Sequence, residues 1–285
     1  QDVDLARTAV LLPQGVYDAR WRDFSTSIDG GVLFGNFSLG NAGSLSYEAF
    51  AGVTNLDKDE GGVSRWIVDR TNGGEVTSFD QPLMIGGQLW WQTPLDGLRL
   101  GANLAQMYDF GFHARVPVSP MGPFGPINAF TTGAGDVFFQ QYSAEYMWNS
   151  WTFQAEYLTY EFEGATTTNV RSGSTPIQPT ARAPLLVRPD AWYVSAAYRF
   201  NHWLEVGTYY TEHYADRENR DGGPDAAQKD LALSFRFDPT DWWILKLEGH
   251  YLRGTSLLQD AQNNPVADRT NDPWFMLALK TTFSF

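Results

Sequence analysis

Residues 142–157 read Tyr142-Ser143-Ala144-Glu145-Tyr146-Met147-Trp148-Asn149-Ser150-Trp151-Thr152-Phe153-Gln154-Ala155-Glu156-Tyr157. Tyr142, Ala144, Tyr146 and Trp148 fall on one side of an extended chain, and Ser143 and Glu145 on the other. After Asn149-Ser150 the alternation resumes, with Trp151, Phe153, Ala155 and Tyr157 against Thr152, Gln154 and Glu156. A period of two means strand, and Asn-Ser between two such runs means a tight turn. This is a hairpin with one apolar face and one polar face.

The same pattern recurs outward from it. Leu231, Leu233, Phe235 and Phe237 oppose Asp230, Ser234, Arg236 and Asp238; Trp243, Leu245, Leu247 and Tyr251 oppose Lys246, Glu248 and His250. At the end of the sequence Phe275, Leu277, Leu279, Phe283 and Phe285 oppose Lys280, Thr282 and Ser284. Eleven strands are predicted, at 27–39, 44–55, 82–93, 98–109, 136–148, 151–163, 190–200, 203–215, 228–238, 242–253 and 273–285. Most exceed the ~5–6 residues of a soluble strand and match the ~9–11 of a tilted membrane-spanning one.

The connections alternate in length. Short ones lie at 40–43, 94–97, 149–150, 201–202 and 239–241; long ones lie at 56–81, 110–135, 164–189, 216–227 and 254–272. Short turns at one end and long loops at the other are the pattern of an outer-membrane β-barrel. Sheet edges are not tolerated in hydrocarbon, so the apolar face is expected to look outward at lipid and the polar face inward at water. Trp90-Trp91, Trp148 with Trp151, Trp203, Trp242-Trp243 and Trp274 sit near strand ends, where interfacial girdles form.

Composition agrees with this reading. The 285 residues carry a net charge of -13, 15% aromatics, 19% charged residues, no cysteine and a mean hydropathy of -0.33. Without cysteine there is neither a disulfide framework nor a thiolate metal site. Strong acidity argues against a nucleic-acid partner, and 43% hydrophobic residues argue against disorder. No stretch approaches the ~20 apolar residues of a spanning helix.

Parity raises a problem. With short turns inside and the final strand descending, the strand at 27–39 also descends, so eleven strands begin outside, whereas bacterial barrels have even counts. Residues 1–24 do not alternate, and Pro13 argues against a central strand there. The expectation is an all-β, transmembrane, antiparallel up-and-down barrel. About 11–12 strands are present, part of a larger barrel of about 16–18. Residues 1–24 form an extracellular or pore-lining segment, and 25–285 the barrel, truncated at its N-terminal side.

The runs Ala6–Asp18, Ala191–Ser195, Gln228–Ser234 and Lys246–Tyr251 resemble segments of outer-membrane porins of the phosphate-selective porin O and P family. The terminal amphipathic strand ending at Phe285 resembles the signature by which the Gram-negative outer-membrane assembly machinery recognises its clients. The resemblance implies a porin in a Gram-negative outer membrane, a possible homotrimer, and no cofactor. The lipid bilayer and lipopolysaccharide are the other expected partners.

Phosphate selectivity would need a ladder of cations along the pore. The inward positions give Arg99, Arg199, Arg236, Lys246 and Lys280, but also Asp29, Glu48, Glu145, Glu156, Glu205, Asp230, Asp238 and Glu248. The wall is mixed and slightly acidic, a departure from that ladder. Opposite charges either pair across strands or take part in conduction. Two segments are candidates to constrict the pore. One is 1–24, with Arg7, Arg20, Arg22 and the aromatics Tyr17, Trp21 and Phe24; the other is the apolar, proline-rich loop 110–135. An apolar loop is expected inside the barrel or at a subunit contact. An enzyme is not expected, because neither G-x-S-x-G nor H-E-x-x-H occurs. The stretch 216–222 lacks regular calcium-ligand spacing, so no metal site is expected. The reading is a water-filled channel for passive diffusion of small hydrophilic solutes or ions. The alternative is a non-channel barrel acting in adhesion, binding or as a structural sheath.

Overall fold

The structure is a computed structural model that describes residues 7–18, 27–71, 74–258 and 272–284. It contains β1 (Asp29–Ser38), β2 (Ser44–Val53), a helix α1 (Gly62–Arg70), β3 (Glu75–Phe79), β4 (Leu83–Gln92), β5 (Leu98–Ser119), β6 (Ile127–Trp148), β7 (Trp151–Ser172), β8 (Thr175–Pro176), β9 (Ala181–Val187), β10 (Asp190–Arg199), β11 (Leu204–Tyr214), β12 (Ala227–Thr240), β13 (Trp243–Gly254) and β14 (Trp274–Phe283). All fourteen strands belong to one sheet. Eleven form an up-and-down path in chain order, and β3, β8 and β9 add to it beside β5 and β7. The pairings between named strands are antiparallel. Among the described residues β1 and β14 do not pair with each other, so the sheet has two edges and is not closed. Ten antiparallel steps separate those edges, so β1 and β14 run in the same direction.

Side-chain alternation gives the sheet two faces. On β14 Phe275, Leu277 and Leu279 are 76%, 75% and 71% exposed, while Met276, Ala278 and Lys280 between them are half-buried. On β12 Leu231 and Leu233 are exposed, and Asp230, Ala232 and Ser234 are buried. Cross-strand register keeps each face continuous. Leu231 lies opposite Tyr251, and Tyr251 opposite Phe275. The apolar face is therefore a band of exposed side chains, the inverse of a soluble sheet, where the apolar face is the buried one.

Indoles mark the short-turn end of that band. Trp91, Trp148, Trp203 and Trp242 are exposed beside the turns at 94–97, 149–150, 201–203 and 241–242. Trp91 donates its ring N–H to the Ala42 carbonyl at 2.8 Å, and Trp242 and Trp243 stack on Phe283. A polar N–H on an apolar ring suits the boundary between hydrocarbon and water. Trp90 departs from the expected girdle. It turns to the other face, where the Arg99 guanidinium lies 4.8 Å from its ring centre.

Three of the expected long loops are in part strand. β5, β6 and β7 each run 22 residues, about twice what a tilted span requires. Their distal halves form a projecting ribbon that includes most of 110–135 and the start of 164–189, widened by β3 and β9. The expectation that 110–135 folds into the barrel is overturned. Its tip is open, with Val118, Met121 and Phe124 exposed, because its flanks pair with β3 and β7 and hold it away from the lumen.

A different long connection turns inward. Val63 and Ile67, one helical turn apart on α1, are almost completely buried in a cluster with Met107, Phe110, Phe112, Val137 and Phe162. These belong to the β5–β7 wall, so the connection between β2 and β3 folds against the inner face of the sheet.

Candidate functional site

The polar face collects the charges expected to line a pore. Arg99 lies opposite Glu145 in register and contacts it with two nitrogens, Nε–Oε1 at 2.9 Å and Nη2–Oε2 at 3.0 Å. Gln154 donates a further bond to Glu145 at 3.0 Å. Arg199 pairs with Glu205 at 2.9 Å and with Asp238 at 2.5 Å, and Arg236 reaches Asp238 at 2.8 Å. These two clusters sit near the short turns, on β5–β7 and on β10–β12. Lys246 lies opposite Lys280 on β14 and opposite Arg236 on β12.

Deeper along β12 and β13 the wall is buried. His250 stands between two carboxylates, with Nδ1 3.0 Å from Asp230 and Nε2 3.0 Å from Glu248. Tyr209 donates to Asp230 at 3.2 Å, and Ser234 donates to Glu248 at 2.5 Å. Glu248 is 0% exposed and Lys246 1%. Charged groups on a pore wall should be wet, so something covers them.

The cover is residues 7–18, which run across the inner face as a strap. Val10 and Leu11 donate their main-chain N–H groups to the Glu248 carboxylate at 2.8 and 2.9 Å. Arg236 and Lys246 reach the carbonyls of Arg7 and Ala9, each at 3.4 Å. Thr8 hydrogen-bonds Glu205, and Tyr17 donates to Glu156 at 2.6 Å. Glu156 also accepts from Gln141 at 3.2 Å and Ser143 at 3.3 Å. Among the described residues the strap pairs with no strand, and its backbone polar groups take side-chain partners from the wall. Two wall glycine and threonine positions admit it closely. A Cβ on Gly207 would lie 3.2 Å from Thr8, and one on Gly15 would strike the Thr211 hydroxyl.

Each inward residue expected from the sequence is thereby located. Arg99 with Glu145, and Arg199 and Arg236 with Glu205 and Asp238, form ion-pair clusters. Asp230 and Glu248 flank His250, Glu156 and Glu205 hold the strap, and Lys246 and Lys280 are neighbours. Arg7 lies in the strap, whereas Arg20, Arg22 and Phe285 lie outside the described residues. Asp29 is a correction. Its register row runs through Val53 to Leu83, on the face opposite Glu48, and it bonds Asn55. Sequence reading placed Ser234 on the polar face and missed Thr8, Val10, Leu11 and Tyr209 as members. No periodic signal marks the strap, because its contacts are made by backbone N–H and C=O groups.

At the long-connection rim Arg188 pairs with Glu218 at 2.6 Å and with Asp216 at 3.5 Å. Partial loss of water lowers its pKa, but these acidic partners outweigh that and hold it above the ordinary guanidinium value.

Between the strap and the wall of β1–β10 lies a cavity of about 1250 Å³. An up-and-down sheet with an exposed apolar face and a charged, enclosed face is the architecture of a membrane β-barrel wall. No protein-family model matches the chain, and no curated protein matches it. Among solved structures, it is similar to the Ralstonia pickettii toluene transporter TbuX, at 11% identity over 76% of this chain and 67% of that one, with a TM-score of 0.43. It is similar also to a deltaS2 mutant of the TodX monoaromatic hydrocarbon channel, at 13% identity over 90% and 73%, with a TM-score of 0.44. A porin refined at 1.8 Å matches at 11% identity over 91% and 99%, with a TM-score of 0.36.

Proposed function

We propose that the chain forms the wall of a porin-type channel for passive diffusion of small hydrophilic solutes or ions across the outer membrane of a Gram-negative bacterium. The observation that carries this reading is the inverted sheet. Phe275, Leu277, Leu279, Leu231 and Leu233 are displayed outward, while Asp230, Ser234, Lys246 and Glu248 are enclosed. Water cannot be the solvent of the first set, and hydrocarbon cannot be the solvent of the second. The bilayer and lipopolysaccharide contact the outer face in this reading. Phe285 serves the assembly machinery, and three copies assemble.

The finer likeness to the phosphate-selective porin O and P family rests on the four sequence runs given above. The pairing of Arg99, Arg199 and Arg236 with carboxylates supports weak selectivity instead. One observation favours a second reading, a barrel that binds or supports without conducting: the strap occupies part of the lumen. Planar-bilayer recording with a salt gradient separates them. The channel reading expects discrete conductance steps and a small reversal potential of cation-selective sign. Strong anion selectivity would contradict the wall assignment, and silence from the folded protein would establish the second reading.

A further inference from the structure

The lumen has two unlike sides. β11–β13 are charged and sealed by the strap, whereas the cavity wall on β1–β7 carries few charges. Two register rows build that wall. One runs Val32–Phe50–Gly86–Ala105–Phe139–Tyr160, and the next runs Glu48–Gln88–Asn103–Gln141. The first row is apolar and aromatic. Phe50 lies over Gly86, where a Cβ would come within 2.6 Å of the ring, and Phe139 and Tyr160 pack in a tilted pair with centroids 5.5 Å apart. The second row, bounded by Phe34 and Leu158, carries the Glu48 carboxylate and three amides, of which Asn103 and Gln141 line the cavity. Opposite both, the strap presents Leu11, Leu12 and Val16 to the same cavity.

We infer that this cavity is a solute-binding site for small uncharged aromatic compounds that carry a hydroxyl or amide donor. The aromatic row and the strap leucines form two apolar walls, which favour a flat apolar body over water. The amide row sets one polar edge along it. Asn103 lines the cavity, and its side-chain oxygen, tucked just behind that surface, has no hydrogen-bond partner among the described residues, so a turn of the amide would present it to a ligand. A buried acceptor without a donor is a cost that a ligand hydroxyl relieves. Anions are disfavoured, because the carboxylates of Asp18, Glu48 and Asp190 outnumber the one guanidinium, Arg7, that borders the site. Organic cations are disfavoured by the apolar walls, where a charge would lose its water. A few placed polar groups in a mostly apolar concavity are the usual make-up of a small-molecule site. The inference rests on the channel reading for how the solute arrives, and it deepens that reading by naming a solute class.

The test uses the full chain in lipid nanodiscs, titrated with phenol, benzoate and glycerol by calorimetry against empty nanodiscs. Saturable binding of phenol alone is expected. Asn103→Ala should weaken it about tenfold, the loss of one hydrogen bond to a buried group. Leu12→Trp, which fills the cavity from the strap and leaves the sheet untouched, should abolish it. Phenol binding that is absent, or that is unchanged in both variants, overturns the inference, as does equal binding of benzoate. Bilayer conductance of the same preparation keeps the two readings apart. Conductance without phenol binding rejects the site and leaves the channel, whereas phenol binding without conductance rejects the channel and leaves the site.

Discussion

Removing the Glu248 carboxylate should free the middle of the strap. That carboxylate accepts four hydrogen bonds, from Val10 N–H, Leu11 N–H, Ser234 and His250. Of these four, the first two tie the middle of the strap to the wall, while Thr8 on Glu205 and Tyr17 on Glu156 hold its two ends. Hydrogen bonds to a charged group are worth ~1.5–3 kcal/mol each, but the two freed N–H groups regain water when the strap leaves. A net loss of ~2–4 kcal/mol in strap docking follows for Glu248→Ala, which shifts the docked-to-undocked ratio roughly thirty- to seven-hundred-fold. The Arg236 and Lys246 contacts to strap carbonyls are long, at 3.4 Å each, and offset little of this. Hydrogen exchange of the 7–18 peptide, followed by mass spectrometry on the reconstituted protein, reads the ratio directly. The Val10 and Leu11 amides should exchange at least tenfold faster than in the parent chain, and unitary conductance should rise. Glu145→Ala is the control, because Glu145 pairs with Arg99 and Gln154. It should leave the exchange unchanged. Unaltered exchange in Glu248→Ala, with the fold intact by circular dichroism, would refute the assignment of Glu248 as the strap's anchor.

Two further outcomes follow from the two faces of the sheet. Leu277→Arg places a cation at a 75% exposed position of the lipid-facing band and should cost ~2–4 kcal/mol of folding free energy near the bilayer midplane, measured by urea titration in vesicles. An effect below ~0.5 kcal/mol would mean that this face is not in lipid. Ile67→Ala empties a buried position between α1 and the β5–β7 wall and should cost ~2–4 kcal/mol locally, making the 54–71 connection protease-sensitive without loosening the strap. Sensitivity equal to the parent's would show that α1 is not held by that cluster.

The strands were legible because both solvents act on every second residue. The run 142–157 alone predicts the β6–β7 hairpin, turn included, and the boundaries of β10–β14 fall within a few residues of expectation. The upper halves of β5–β7 were not legible. Thr166-Thr167-Thr168 pair in register with Gly133, Thr132 and Thr131, yet outside a bilayer neither face must be apolar, so the alternation fades. α1 left a trace in the spacing of Val63 and Ile67, a helical period inside a segment otherwise read as loop. Lumen charges were assigned from parity; Arg99 through Lys280 share the face opposite the apolar band, whereas Asp29 lies on the other face, where the first strand begins one residue out of phase with its polar pattern. The segment 1–24 reads as extracellular or pore-lining, but the contacts that anchor the strap were not legible, because a backbone N–H has no identity in a sequence.

The strap changes what the wall charges can do. A wall residue steers ions only when it faces water, where its field acts on the passing solute. Glu248, Lys246 and Asp230 are buried beneath residues 7–18 or beside His250, and their charges are taken up by main-chain groups and by one another. Arg99, Glu145, Arg199, Glu205 and Asp238 retain side-chain exposures of 14–37% and remain available to solvent. That set holds two cations and three anions, so the wet part of the wall is only slightly acidic. A net of one negative charge spread over two separated clusters gives a shallow field, screened within ~8–10 Å at ordinary ionic strength. Discrimination among solutes therefore falls to shape and to the apolar and amide rows of β1–β7, where burial makes each contact count for more than a charge held in water.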